Sequence, residues 1–110
     1  MRDVELLELA ARAADIEIEC DGDAVFFYNE FKDTWCPLID DGDALRLAVK
    51  LKMDVTVGQS VKVVCATNEG GLSRIVLPLG DDPYTAVRRA IVTAAAEIGK
   101  KADAPQNAGD

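Results

Sequence analysis

Trp35-Cys36-Pro37-Leu38-Ile39-Asp40-Asp41-Gly42-Asp43-Ala44-Leu45-Arg46-Leu47-Ala48-Val49-Lys50-Leu51 joins the chain's one tryptophan to a strongly signalled helix start. Pro37 ends any extended segment, and Asp40 followed three residues later by Asp43 forms an acidic counterpart of a capping box. Ala44, Leu45, Ala48, Val49 and Leu51 then make a broad apolar face on a helix that stops near Lys52, the pattern of a helix that docks. Nothing in the stretch is visibly catalytic.

Upstream, Asp3 is placed to cap a first helix running to about Ala14, with Leu6, Leu7, Ala10, Ala11 and Ala14 on one stripe. From Asp15 the period changes to two. Ile16, Ile18 and Cys20 alternate with Glu17 and Glu19, and Asp21-Gly22-Asp23 supplies a hairpin turn into a strand over 24–31. That strand is apolar on both sides at Val25, Phe26, Phe27 and Tyr28, which predicts a central position with both faces covered. Downstream, 54–58, 61–66 and 74–79 are rich in Val and Ile and read as strands, with Pro78 at an edge or a strand end because it cannot donate to a ladder. Asp82-Pro83 is a clean helix start, and Tyr84, Val87, Ile91, Ala94, Ala95 and Ile98 recur at helical spacing towards Lys100 and Lys101. Residues 102–110 have no apolar periodicity and read as a flexible tail.

No stretch repeats another. The order α-β-β-α-β-β-β-α, with hairpins between neighbouring strands, predicts an α+β fold in one domain over 1–101. Its centre is a mainly antiparallel sheet of about five strands with three helices, an α-β-α sandwich. A two-layer version, with all helices on one face, is the rival, since Glu17 and Glu19 give the first strand an exposed side.

At 110 residues and 49% apolar composition, the chain is long enough for a real core without staples. The three cysteines, Cys20, Cys36 and Cys65, are odd in number and lack Cys-x-x-Cys spacing, which argues against a zinc cluster or a disulfide framework. Cys20 and Cys65 read as buried apolar residues, in keeping with a reducing cytoplasm. No apolar run approaches a membrane span, so a soluble protein is expected. Charge is uneven. Of the net −8, −7 lies in residues 1–33, where ten acids face three bases. Such a field disfavours direct nucleic-acid binding and suits a partner with a basic surface, or simply keeps the protein soluble.

Histidine is absent, which removes Ser-His-Asp and Cys-His constellations and the commonest metal ligand. Asp40, Asp41 and Asp43, and likewise Asp81 and Asp82, adjoin helix starts and lack the spacing of a calcium loop, so capping explains them. No metal and no cofactor is expected. Arg88-Arg89 is a basic doublet positioned to pair with the acidic first third. Trp35 either fills the gap between the second helix and the sheet or stands exposed as an anchor for a partner.

The run from Trp35 to Ala48, together with Asp81-Asp82-Pro83 and the helix from Arg88 to Glu97, resembles the small "phage ABA sandwich" proteins of tailed phages and prophages. Cys36 departs from that pattern, where a polar residue is expected. The resemblance implies an α-β-α sandwich of bacteriophage origin and carries no known activity or catalytic residue. With the missing catalytic apparatus and the acidic first third, it suggests a non-catalytic phage accessory protein rather than an enzyme. Such a protein acts in the bacterial cytoplasm by binding a host or phage protein, and blocks a defence or nucleic-acid-handling complex as anti-CRISPR proteins do. Glu17, Glu19, Asp21, Asp23 and Trp35 are the candidate partner-binding residues. The alternatives are a self-associating structural or assembly module, with a homodimer as its simplest form, and, third, a small enzyme using Asp40, Asp41 or Tyr28.

Overall fold

Helix formation in this chain starts from carboxylates placed in the first turn or just before it. In the computed structural model, which describes residues 2–20, 27–28, 34–58, 62–67 and 73–103, three helices follow from it. Helix α1 spans Asp3–Ala13, α2 Asp41–Lys50 and α3 Pro83–Asp103. Asp3 is the first helical residue of α1 rather than its cap. The cap position belongs to Arg2, whose backbone N–H donates to Glu5 Oε1 at 2.9 Å. That bond is the main reason the Glu5 carboxyl is held below its ordinary pKa. At α3, Asp82 caps as its position before Pro83 predicts, accepting from the Thr85 N–H at 3.3 Å and from the Thr85 hydroxyl. The hydroxyl bond is the leading cause of a lowered Asp82 pKa. Helix α3 also continues to Asp103, into the stretch read as a tail.

Helices α1 and α2 end alike. In α1, Ile16 N donates to Ala11 O at 2.9 Å and Asp15 N to Arg12 O at 3.2 Å. In α2, Met53 N donates to Ala48 O at 2.9 Å and Lys52 N to Val49 O at 3.1 Å. Both are Schellman motifs, and they put Asp15 at φ 58° and Lys52 at φ 56°, left-handed positions that favour glycine.

The five-stranded sandwich is not formed. The described strands make two separate three-stranded antiparallel sheets, β1-β2-β3 and β4-β5-β6. The first joins β1 (Glu19–Cys20), β2 (Phe27–Tyr28) and β3 (Thr34–Trp35) by two residue pairs each. The second joins β4 (Asp54–Val57), β5 (Lys62–Thr67) and β6 (Ser73–Pro78) over four and six pairs. Strand β3 is the element that the sequence reading lacked. The Pro37 after it left room for only two paired residues, too few for a periodic signal. The observed order, α-β-β-β-α-β-β-β-α, is two successive α-β-β-β units and a closing helix, although the sequence shows no repeat.

One face of β4-β5-β6 is covered and the other open. Along β6, Ile75 and Leu77 are half-buried while Arg74, Val76 and Pro78 are exposed, and both β5 and β6 pack on α3. Pro78 is the last residue of an edge strand, where its missing donor is harmless. The core lies between α3, α1, α2 and residues 35–38, and Leu7, Leu47, Val92, Pro37 and Cys36 are its largest fully buried side chains.

Helix α3 is shared by α1, α2 and the second sheet, and small residues make this possible. Ala10 and Ala11 of α1, its C-cap Ala14, and Ala90, Ala94, Ala95 and Ala96 of α3 are all essentially inaccessible. At Gly99 the two helices come so close that an ideal Cβ would lie 2.0 Å from the Leu9 carbonyl oxygen. Gly99→Ala therefore lowers stability by about 1–3 kcal/mol, although alanine is the better helix former by ~1 kcal/mol. Lys52→Gly, which relieves a left-handed residue, raises stability by about 1 kcal/mol. Urea denaturation of both variants checks the opposite signs.

Candidate functional site

The decisive stretch folds as one hydrogen-bonded unit. The Cys36 carbonyl accepts from Ile39 N at 3.1 Å and from Asp40 N at 3.0 Å, which closes a turn around Pro37 and Leu38. Asp40 caps α2, its Oδ2 accepting from Asp43 N at 2.7 Å. The second half of the expected capping box goes elsewhere. Asp43, a buried carboxylate, reaches past the cap and accepts from the buried Cys36 N–H at 2.9 Å. Its other oxygen takes Arg46 Nη2 at 2.7 Å. The cap thus sews the turn to the helix, and among the described residues no buried side-chain polar atom lacks a partner.

Arg88 of α3 fastens this unit from across the fold. Its Nε donates to the Leu38 carbonyl at 2.9 Å, its Nη1 to Asp41 at 2.5 Å and its Nη2 to the Thr85 hydroxyl at 3.0 Å. Only 15% of its side chain is exposed, so these charge-assisted bonds are partly shielded from water. Arg89 Nη2 meets Asp3 at 3.0 Å, so one arginine of the doublet pairs with the acidic first third, while Arg88 is bonded outside it.

Held this way, α2, the start of α3 and β4 enclose an open groove of about 560 Å³, almost wholly apolar in lining. Buried Ala44, Ala48 and Ile91 form its floor. Leu45, Val57 and Tyr84 stand along its sides at 64%, 56% and 69% exposure. Asp41 and Arg88, paired with each other, are the charged residues of its lining. The volume is in the range of ligand and side-chain clefts.

The sequence-derived candidates lie elsewhere. Trp35 is only 6% exposed and belongs to the core, so it fills the space beside residues 36–38 and is no exposed anchor; an indole gains most where it is desolvated. Glu17 is exposed just before β1, and Glu19 lies in β1. Asp21 and Asp23 lie outside the described residues, as does the hairpin turn between them. Tyr28, named for the enzyme alternative, is in β2, whereas Asp40 is the N-cap and Asp41 the first residue of α2. Among the described residues, no three acids or cysteines gather closely enough to hold a metal ion. Cys36 is a buried free thiol whose pKa is pushed up by burial above all; the side chains of Cys20 and Cys65 are outside the description.

Leu45, Val49 and Tyr84 correct the sequence reading in the opposite sense, since periodicity assigned them to packed faces and the structure leaves them exposed. The signal was present in the width of the α2 face. At 100° per residue, the apolar residues 44–51 cover an arc of roughly 200°, twice the roughly 100° that packing one surface helix takes up. Leu47, Leu51, Ala44 and Ala48 fill the packed half, and Leu45 and Val49 are the surplus.

No protein-family model matches this chain, and comparison with curated proteins and with solved structures finds no relative. Among the described residues, no helix is long and apolar enough to cross a membrane.

The Asp43 junction gives a direct test. Asp43→Ala leaves the buried Cys36 N–H without an acceptor and lowers stability by about 2 kcal/mol. Asp43→Asn keeps an acceptor for that N–H, loses only the charge-assisted bond to Arg46, and costs less. Urea midpoints of the two variants rank them.

Proposed function

We propose that this chain is a non-catalytic accessory protein that works by binding another protein, and that the groove between α2, β4 and α3 is its contact surface. The observation that carries the reading is the groove itself. It is an open, apolar cleft flanked by three large side chains more than half exposed, which a soluble monomer has reason to keep only as an interaction site. The lining offers little for chemistry, because Asp41 and Arg88 neutralise each other and Arg88 is further bound to Leu38 and Thr85. In the setting implied by the phage-like residues, the partner is a host or phage protein in the bacterial cytoplasm, and occupying it inhibits a defence or nucleic-acid-handling complex. The acidic charge speeds encounter with a basic surface more than it adds affinity.

Leu45→Asp and Tyr84→Asp place charge on exposed positions and leave the core untouched, so both variants fold. In co-purification from bacterial cells, the partner retained by the parent chain is lost with both. Retention by both variants, with loss on reversing Glu17, Glu19, Asp21 and Asp23 to lysine, moves the contact to the acidic first third and rejects the groove.

A further inference from the structure

The two helix starts beside the groove carry acids of both signs of use: some cap, and all leave charge. The ends of α2 and α3 are joined through the bonded series Asp41, Arg88, Thr85 and Asp82. Exposed Asp41 lines the otherwise apolar cleft, and the exposed Asp40, Asp81 and Asp82 lie within two residues of its lining residues Asp41 and Pro83 along the chain. The bases nearby are spent. Arg88 is bonded to Asp41, and Arg46 sits 2.7 Å from the Asp43 carboxylate and 3.8 Å from Asp40. The half-charges of two helix N-termini offset only part of the remainder. Apart from Asp41, Arg88 and Tyr84, the lining has no ionisable residue.

We propose that the groove receives a basic amphipathic helix of the partner protein, its apolar stripe lying between Leu45, Val57 and Tyr84 and its Lys or Arg residues meeting Asp40, Asp81 and Asp82. This rests on the reading of the chain as a protein-binding module and names the chemistry of the bound element. An open trough with apolar walls suits side chains at i, i+3, i+4 and i+7 of a helix. The charge beside it selects a cationic flank. A second copy of this chain fits worse, because docking would bring those carboxylates against another surface of a molecule with net charge −8. The chain's own residues 104–110, Ala-Pro-Gln-Asn-Ala-Gly-Asp, contain no large apolar side chain to fill the cleft. An anionic amphiphile meets the same carboxylates and finds Arg88 already engaged.

The test uses labelled peptides of about 18 residues, long enough to hold a helix, each with a leucine stripe at helical spacing and either lysine or glutamate on its flanks. Fluorescence anisotropy with the full chain should show the lysine peptides binding, weakening about tenfold in Leu45→Asp or Tyr84→Asp. Asp81→Lys, at an exposed residue that makes no cap, should weaken binding severalfold, as should added salt. Equal binding of the glutamate peptides overturns the cationic assignment while leaving the groove as a protein contact. Binding of neither series, in a chain whose partner is still lost on Leu45→Asp, overturns the helical occupant but not the binding function. Concentration-dependent dimers abolished by Leu45→Asp in sedimentation identify a second copy as the occupant and overturn the proposal.

Discussion

The approach of α1 to α3 at Gly99 is the constraint on which the rest depends. Backbone meets backbone there, with the Leu9 carbonyl occupying the space of a side chain. The alanines of both helices extend that closeness along their length. A helix pair packed this tightly forms a thin, stiff layer, because short side chains lose little rotamer entropy and leave little room to shift. Helix α3 can then spend its remaining surface on β5, β6 and α2. A glycine inside a helix ordinarily costs about 1 kcal/mol, and here that cost is offset by packing no other residue permits.

On this layer, the apolar packing of Ala44, Leu47, Ala48 and Leu51 is given its register by directional polar bonds at the start of α2. Asp40 and Asp43 divide the work of one capping box. The first satisfies the helix end, and the second reaches a buried amide seven residues upstream. Arg88 then ties the turn to α3 through a backbone carbonyl and a carboxylate. Because both bonds are directional, they set the distance between α2 and the first turns of α3, and so the width of the groove. Shape at the surface thus follows from charges placed just beneath it.

Much of the helical part of this architecture was legible. Asp40, Asp82 and Pro83 announce helix starts because the physics of a helix end is local, and Ile98 or Leu7 reveal buried stripes because 3.6-residue periodicity survives any arrangement of neighbours. The sheets were not legible in the same way. Strands of two residues such as Thr34–Trp35 have no period to read, and whether β1 and β4 share a sheet is decided by pairings between distant segments. Trp35 was ambiguous since an indole serves equally as plug or anchor, and only its surroundings decide. The groove was half visible, in the excess width of the α2 face. Gly99 was invisible, because nothing local distinguishes a glycine required by a neighbour from one merely tolerated.

The walls of the groove come from residues 41–48, 55–57 and 83–91, segments brought together only by folding. An occupant consequently recognises the native state alone, and at a hundred times its Kd it adds about 2.7 kcal/mol to the folding equilibrium by mass action. For a small domain of ordinary marginal stability this is a large share of the total. If the groove is filled as proposed, the steady-state level of the chain in a cell rises and falls with that of the occupant, the unaccompanied molecules being the first that proteases clear.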